Sequence, residues 1–439
     1  MDEEYLINLI YEYNPQLTGK KIEVPEYRRK LYWELKKWME KKQILAITGL
    51  RRMGKTTLMR QLMQELEGSM FFSFDEEDMQ KKEVLTYVID YFVKELSAKY
   101  IFLDEIHYVP DWEGVLKRYY DTKSLKFIIS GSESLEISKA KESLVGRMIV
   151  FHLGPLSFSE FLGMKGIFAS LSGEKIKDFD GLKREYHRLL PKKDDIEELF
   201  KDYVFKGAFP EIVDEEDEDI IQKYIRELVV KKIIYRDIPS IFQIKMRGIL
   251  YDIFLYVCEN SSGIFNIRSL AENMKISYET AESYLFYLKS SFLIKISQNY
   301  SRSPAKRMRK NKKVHVVHPS LALAVLSYSR RELRDRVMGQ YVESLFAGDY
   351  FWRDKNKNEV DLIIEEKNPI PVEIKYQNMI NKEDLRGILR FMEKFESPYG
   401  VVITKNIFKS EEIKGNRVYF VPAWLWAIYG NLSGKTIYM

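Results

Sequence analysis

The 439-residue chain contains one cysteine, Cys258. A single thiol excludes an intrachain disulfide framework and a cysteine-built zinc site, and it fits a reducing compartment. Histidine is nearly as scarce. His107, His152, His187, His315 and His318 are the five in the chain. Only the last two lie close together, with no matching ligand pair nearby, so no zinc site is expected. Nowhere do ~20 apolar residues run together, and the opening MDEEYLINLI is acidic where a secretory leader would be basic. The expectation is a soluble, cytoplasmic protein with no membrane contact. An excess of one charge is missing too: 70 Lys and Arg stand against 65 Asp and Glu, for a net charge of +5. Any nucleic-acid surface must therefore be local. Tandem repeats and long low-complexity linkers are also absent. The length leaves room for about three domains, each able to bury a core.

What is there begins with Gly49-Leu50-Arg51-Arg52-Met53-Gly54-Lys55-Thr56, which fits G-x-x-x-x-G-K-[ST] at every fixed position. Before it, Gln43–Thr48 reads as a buried strand. After it, Thr57–Leu66 reads as a helix, with Leu58, Met59, Leu62, Met63 and Leu66 at helical spacing. A glycine loop in that setting turns backbone N–H groups toward a phosphate, and the helix N-terminus adds partial positive charge. Lys55 would reach the β- and γ-phosphates of ATP, Thr57 would follow in the same turn, and the Thr56 hydroxyl would ligate Mg²⁺.

Tyr100–Leu103 reads as an apolar strand ending in Asp104-Glu105. Asp104 is the expected Mg²⁺ holder, directly or through water, and Glu105 the group that polarises the attacking water. The simpler reading of Glu105 is a cap on the loop. Met70–Phe74 and Leu125–Ser130 supply further strands, with Ser130 and Ser132 placed to touch the γ-phosphate or the water. Ser-Gly-Ser is also an ordinary turn. Met148–Leu153 follows Gly146-Arg147. Alternating strands and helices predict a parallel sheet covered on both faces.

Residues from about Pro25 to Leu162 resemble a prokaryotic, archaeal-type branch of the AAA+ superfamily, through GLRRMGKTTL, FLDEIHYVPDWE, ISGSES and SLVGR followed by LGPLSFSEFL. The resemblance implies strand order 5-1-4-3-2, a sensor at the end of the fourth strand, and self-assembly into a homo-oligomer of unstated size. It makes Arg147 a candidate arginine finger. An arginine paired with a local carboxylate is the alternative.

Helical patterns over Ser159–Phe168, Leu182–Leu190, Asp194–Phe205 and Ile220–Tyr235 resemble a lid following such a core. The acidic run Asp214–Asp219 reads as a solvated helix start. Helices Ile249–Cys258, Asn266–Met274 and Ser277–Ser290, then strands Phe292–Ser297 and Val314–Val317, have the order of a winged helix-turn-helix. Its third helix would enter a DNA major groove. Between the strands lies Ser301–Lys313, with Lys or Arg at 302, 306, 307, 309, 310, 312 and 313 and no acid. A flexible basic hairpin there suits phosphate contacts, making DNA the expected partner.

The last quarter of the chain carries a second constellation. Glu343 falls on a helix, Gln340–Phe346. Asp361 lies in a strand, Glu359–Ile364. Glu373-Ile-Lys375 lies in the next strand, Ile370–Ile374. A helix, Lys382–Phe395, and two strands, Gly400–Thr404 and Arg417–Val421, complete the pattern. Asp361 and Glu373 would hold Mg²⁺ by hard oxygen ligation. Lys375 would stabilise charge at a scissile phosphate. This resembles the PD-(D/E)XK nuclease fold, with Glu343 as the acid from the preceding helix. Val360 stands where that signature often has proline.

The expected fold is thus multidomain α/β: an AAA+ (ASCE) P-loop core at 1–155, a helical lid at 156–242, a winged helix-turn-helix at 243–330 and a restriction-endonuclease-like α/β domain at 331–439. Two functions stand open. One is a Mg²⁺-dependent ATPase that binds DNA and cleaves it. The other is a nucleotide-switched regulatory ATPase whose nuclease-like domain is silent.

Overall fold

A computed structural model describes residues 3–131, 144–167, 178–333 and 335–430. The chain divides into two compact units, Met1–Gly154 and Pro155–Met439.

The first unit is built on five strands: β1 (Ile44–Thr48), β2 (Ser69–Ser73), β3 (Tyr100–Asp104), β4 (Lys126–Gly131) and β5 (Met148–His152). All pair in parallel, in the order β2-β3-β4-β1-β5, which is the order expected. β1 and β4 are buried throughout, as a sheet covered on both faces requires. Helices Lys55–Met63, Lys82–Lys94 and Trp112–Thr122 cross between strands. Their apolar stripes, such as Val84, Leu85, Val88, Ile89 and Phe92, enter the same core as Phe72, Leu103 and Ile129. An N-terminal helix, Glu3–Tyr13, joins the elements expected from sequence. Asn14 closes it and mimics a sheet residue, accepting from Phe71 N–H and donating to Phe71 C=O, each at 2.8 Å. It thereby satisfies the edge of β2.

The second unit opens with helices. Phe158–Met164 starts at a capping box of Ser157 and Glu160. Phe179–Leu189 and Lys193–Lys206 follow, and a helix from Glu218 runs on through π-helical turns, Tyr224–Val230 and Ile233–Asp237. Arg247–Glu259, Ile267–Met274 and Tyr278–Ser290 come next. Asn266 and Ser277 cap the last two with side-chain hydrogen bonds, as their sequence positions predict.

Two more sheets follow, and the chain changes sheets at Asp361. The first contains β6 (Gly263–Phe265), β7 (Ile294–Asn299), β8 (Lys312–Val316), β9 (Tyr350–Arg353) and β10 (Glu359–Val360), in the order β10-β9-β7-β8-β6. The second contains β11 (Leu362–Ile364), β12 (Ile370–Lys375), β13 (Gly400–Thr404), β14 (Lys409–Ile413) and β15 (Asn416–Pro422), in the order β11-β12-β13-β15-β14. The single strand expected over Glu359–Ile364 is therefore two, one on each side of Asp361. Helix Arg386–Phe395 packs so close to β10 that a Cβ on Gly387 would meet the Glu359 carbonyl oxygen at 1.9 Å.

The basic insert is not a flexible hairpin. Pro304–Arg309 is a short helix, and Lys312 and Lys313 already belong to β8. Arg307 stacks on Tyr300 and Tyr350 and pairs with Glu365. Lys313 is buried. Aromatic neighbours and acids brought in from distant strands claim these cations, which in sequence look solvent-facing.

Candidate functional site

In the first unit, the loop 49–54 joins β1 to helix Lys55–Met63. Arg52 (φ +64°) and Gly54 (φ +88°) take the left-handed conformation that turns the loop. A Cβ on Gly49 would lie 2.1 Å from the Leu153 carbonyl oxygen, so only glycine lets the end of β5 approach. Leu50 and Met53 are buried beneath the loop. Arg29, which no motif marks in the sequence, donates to Met53 C=O at 3.1 Å and Gly154 C=O at 3.0 Å and ties the loop to that end of the sheet. Arg51 donates to the Tyr108 hydroxyl at 3.0 Å.

Lys55 is buried and donates to the Gly49 and Leu50 carbonyls at 3.0 and 3.3 Å. Thr57 follows Thr56 in the first turn of the helix. Thr56 Oγ1 donates to Asp104 Oδ2 at 2.6 Å. Ser130 Oγ donates to Asp104 Oδ1 and accepts from Glu105 N–H at 3.0 Å. Burial, and after it the Glu105 carboxylate, pushes Asp104 up to about 6, against the two hydroxyls and Lys55. Glu105 sits at φ +51° at the strand end. Its Oε1 lies 3.7 Å from Lys55 Nζ, and its Oε2 lies 3.3 Å from His107 Nδ1. His107 is a further group at this site that its position in the sequence does not mark. Ser132 lies outside the described residues.

A hydroxyl and a carboxylate oxygen 2.6 Å apart, beside a lysine at a glycine loop, are groups of the kind that a hard divalent cation and phosphate oxygens take as partners. Arg147 does not extend this set. It makes a bidentate pair with Asp121, Nε to Oδ1 at 2.9 Å and Nη2 to Oδ2 at 3.2 Å, and it lies over the Tyr120 ring. Of its two readings, the local carboxylate pair is the one formed.

In the second unit, Glu343, Asp361, Glu373 and Lys375 do come together, with two residues not anticipated, Lys313 and Glu359. Lys313 Nζ lies 2.8 Å from Glu343 Oε1, 2.6 Å from Glu359 Oε1 and 3.1 Å from Asp361 Oδ1. Asp361 Oδ2 accepts from Ile374 N–H at 2.9 Å. Lys375 Nζ lies 2.7 Å from Glu373 Oε1, and Arg353 pairs with Glu359 at 3.3 Å. Glu373 Oε2 is buried with no hydrogen-bond partner among the described residues.

Burial opposes every charge here, and the neighbours decide the outcome. Burial pushes Asp361 up, but Lys313, Lys375 and the Ile374 N–H outweigh it and hold the carboxyl below the usual range. Burial and Asp361 raise Glu343 to about 8 and push Glu373 well above its ordinary value. Both lysines are held above theirs by the surrounding acids, against burial. Asp361 Oδ1 already binds the Lys313 ammonium and Glu373 Oε1 that of Lys375, so the constellation does not fit a divalent cation. Among the described residues no other group of three or more His, Cys, Asp or Glu could hold one. His315 sits between the Ser262 and Ser297 hydroxyls, each at 3.1 Å, and burial lowers it to about 3.

The basic residues sort by exposure. Arg302 and Lys306 are exposed, Lys310 and Lys312 half-buried. Lys310 and Lys312, with Arg268, Lys289, Tyr278 and Phe286, line a groove of about 620 Å³ beside helix Tyr278–Ser290. Glu282 lines the same groove between Tyr278 and Phe286, and Glu279 is exposed on the same helix, both the wrong charge for a phosphate backbone.

Residues 41–162 match a family described as an AAA domain, 197–332 a domain of unknown function (DUF8612) and 331–426 a domain of unknown function (DUF4143). Two uncharacterized proteins of Methanocaldococcus jannaschii, MJ1544 and MJ1637, are each 26% identical, over 408 and 407 residues. The alignments cover 88% of this chain and 88% of the first relative, and 87% of this chain and 84% of the second. Among solved structures, the S. cerevisiae Hsp104:casein complex aligns at 15% identity and TM-score 0.29, over 65% of this chain and 53% of that one. A signal transduction ATPase with numerous domains, carrying a tetratricopeptide repeat sensor, from Pyrococcus horikoshii aligns at 13% and 0.26, over 73% and 46%. The chain thus spans about half the length of those two structures. No helix among the described residues is long and apolar enough to cross a membrane.

Proposed function

We propose that this chain binds Mg·ATP on the Gly49–Thr57 loop and hydrolyses it, acting as a nucleotide-switched ATPase. The observation that carries the reading is the unbroken set Thr56–Asp104–Ser130–Glu105–Lys55, assembled from the ends of β1, β3 and β4. The AAA domain match over residues 41–162 supports it. Mg²⁺, when bound, supplies neutralisation of phosphate charge. The chain's own groups do the rest. The loop N–H groups and Lys55 hold the phosphates. Thr56 Oγ1 and Asp104 Oδ2 present the hard oxygens. Ser130 fixes the Asp104 carboxylate and, through Glu105 N–H, the turn that aims Glu105. Glu105 then accepts the proton of an attacking water. Phosphate release measured on wild type and Glu105→Gln tests the reading. Wild type that binds no nucleotide, or Glu105→Gln with undiminished turnover, removes it.

Nucleic-acid contact is the second reading, and the groove at Lys310 and Lys312 favours it. Arg268, Lys289, Lys310 and Lys312 line it with Tyr278 and Phe286, four cations against one acid, Glu282. Cations beside aromatic rings suit a single strand, with phosphates on the cations and bases on the rings, while Glu282 on the same helix stripe opposes a duplex backbone laid along that helix. Anisotropy of labelled single- and double-stranded DNA, compared across salt, tests it. No binding to either at low salt removes it.

A further inference from the structure

Lys313 lies in the interior of a sheet. Its strand, β8, pairs with β6 on one side and β7 on the other, so its backbone is held at Ile264 and at Ser297. Its side chain is 2% exposed and ends among three carboxylates from three other places in the chain. Glu343 comes from helix Asp335–Phe346, Glu359 from β10, and Asp361 from the step between β10 and β11. An ammonium has three protons to donate, and here three carboxylate oxygens lie within 3.1 Å of it.

We propose that the Lys313 ammonium is the resident cation of this carboxylate cluster, and that the cluster therefore takes no divalent metal in the native chain. The pattern of Asp361 followed by Glu373-Ile-Lys375 implies a metal held by Asp361 and Glu373 and helped by Glu343. A hard divalent cation needs such oxygens at ~2.0–2.6 Å, and about six of them. Asp361 Oδ1 and Glu343 Oε1 already lie against a fixed positive charge, at 3.1 and 2.8 Å. Glu373 Oε1 lies against a second fixed positive charge, Lys375 at 2.7 Å, and Asp361 Oδ2 accepts from the Ile374 N–H. Glu373 Oε2 is buried without a partner, and with Glu343 Oε2 it falls well short of the about six oxygens a hard cation takes. A metal would have to displace a lysine whose strand is hydrogen-bonded on both edges, and the displaced ammonium would remain buried close by. The cation instead ties β8, the Glu343 helix and β10 together where the chain passes from one sheet to the next. In this arrangement the nuclease-like constellation is a structural cross-tie.

The test uses the full chain without nucleotide and needs no enzymatic activity, so its outcome is separate from that of the ATPase reading. Free Mn²⁺ is counted by electron paramagnetic resonance during titration, and thermal unfolding is followed in the same samples. Introduced singly into the wild type, Asp361→Asn and Glu343→Gln should leave Mn²⁺ stoichiometry unchanged. Lys313→Met should unfold at lower temperature and bind one additional Mn²⁺. At ~100 times its dissociation constant, Mn²⁺ should raise the midpoint of Lys313→Met by on the order of 5 °C, a gain abolished by adding Asp361→Asn. A stoichiometric Mn²⁺ site in wild type that Asp361→Asn removes would overturn the proposal. So would a folded Lys313→Met that gains no Mn²⁺ site. If Lys313→Met does not fold, the wild-type comparison alone decides.

Discussion

Thr56 Oγ1 donates a hydrogen bond of 2.6 Å to Asp104 Oδ2, joining side chains 48 residues apart. The helix that starts at Lys55 and the strand that ends at Asp104 are neighbours only because β1, β4 and β3 lie side by side in the sheet. Most of what can be tested at the loop follows from that closure.

Lys55 and Glu105 should separate binding from turnover. Lys55→Ala removes a ground-state phosphate partner and should weaken ATP binding by roughly 100-fold or more. Glu105→Gln should keep binding and lower turnover by about 10²–10⁴-fold, the usual share of a positioned base. Equilibrium binding of a fluorescent ATP analogue, read beside phosphate release, distinguishes them.

Acid should weaken Mg²⁺-dependent nucleotide binding as pH falls through about 6, because Asp104 must be ionised to ligate and its burial beside Glu105 raises it to about that value. The nucleotide-free protein should move the other way. A carboxyl held above its unfolded value binds its proton more tightly when folded. The Asp104 contribution to stability therefore falls as pH rises from the ordinary aspartate range to about 6, then levels. Asp104→Asn should flatten this part of the stability profile and abolish the pH-dependence of Mg²⁺ binding. A titration of unfolding midpoints from pH 4 to 8, run beside Mg²⁺-dependent nucleotide binding over the same range, checks both signs.

Arg147 should behave as the partner of Asp121, with which it forms two hydrogen bonds. Arg147→Ala and Asp121→Ala should have the same small effect on stability, and the double variant no more than either alone. Mixing Arg147→Ala with Lys55→Ala protein should restore no ATPase activity. Recovery on mixing would show that the arginine leaves Asp121 to serve a second subunit.

Salt should report which cations meet nucleic acid. Neutralising Lys310 and Lys312 with Arg268 and Lys289 should reduce the slope of log K against log[salt] by about 0.7 for each single-strand phosphate that is no longer neutralised. Changing Arg307 should not move the slope, because its guanidinium is committed to Tyr300, Tyr350 and Glu365. Single-stranded DNA binding measured from low to moderate salt decides.

By itself the sequence determined whatever depends on near neighbours. Glycines and a lysine at fixed spacing between an apolar strand and a helix specify the loop at Gly49–Thr56, because loop geometry is a property of a few consecutive residues. Asn266 and Ser277 cap helices for the same reason. Strands β1 to β5 are legible because buried parallel strands are continuous apolar runs, and the order of their sheet followed from the AAA+ resemblance. β9, β14 and the helices Glu3–Tyr13 and Ala423–Tyr429 are not; β14 is largely exposed and carries no apolar run. Only the tertiary structure decided the fate of the charges. In sequence Lys313 is the last of a basic run and Glu359 one acid among many. Sheet pairing brings them within 2.6 Å and buries the lysine beside Asp361. The pattern around Asp361 is that of one strand, yet the chain changes sheets there, which no local signal records. Arg147 likewise finds Asp121 through the fold alone. A charged residue takes its role from the partners that surround it, and those partners come from distant parts of the chain.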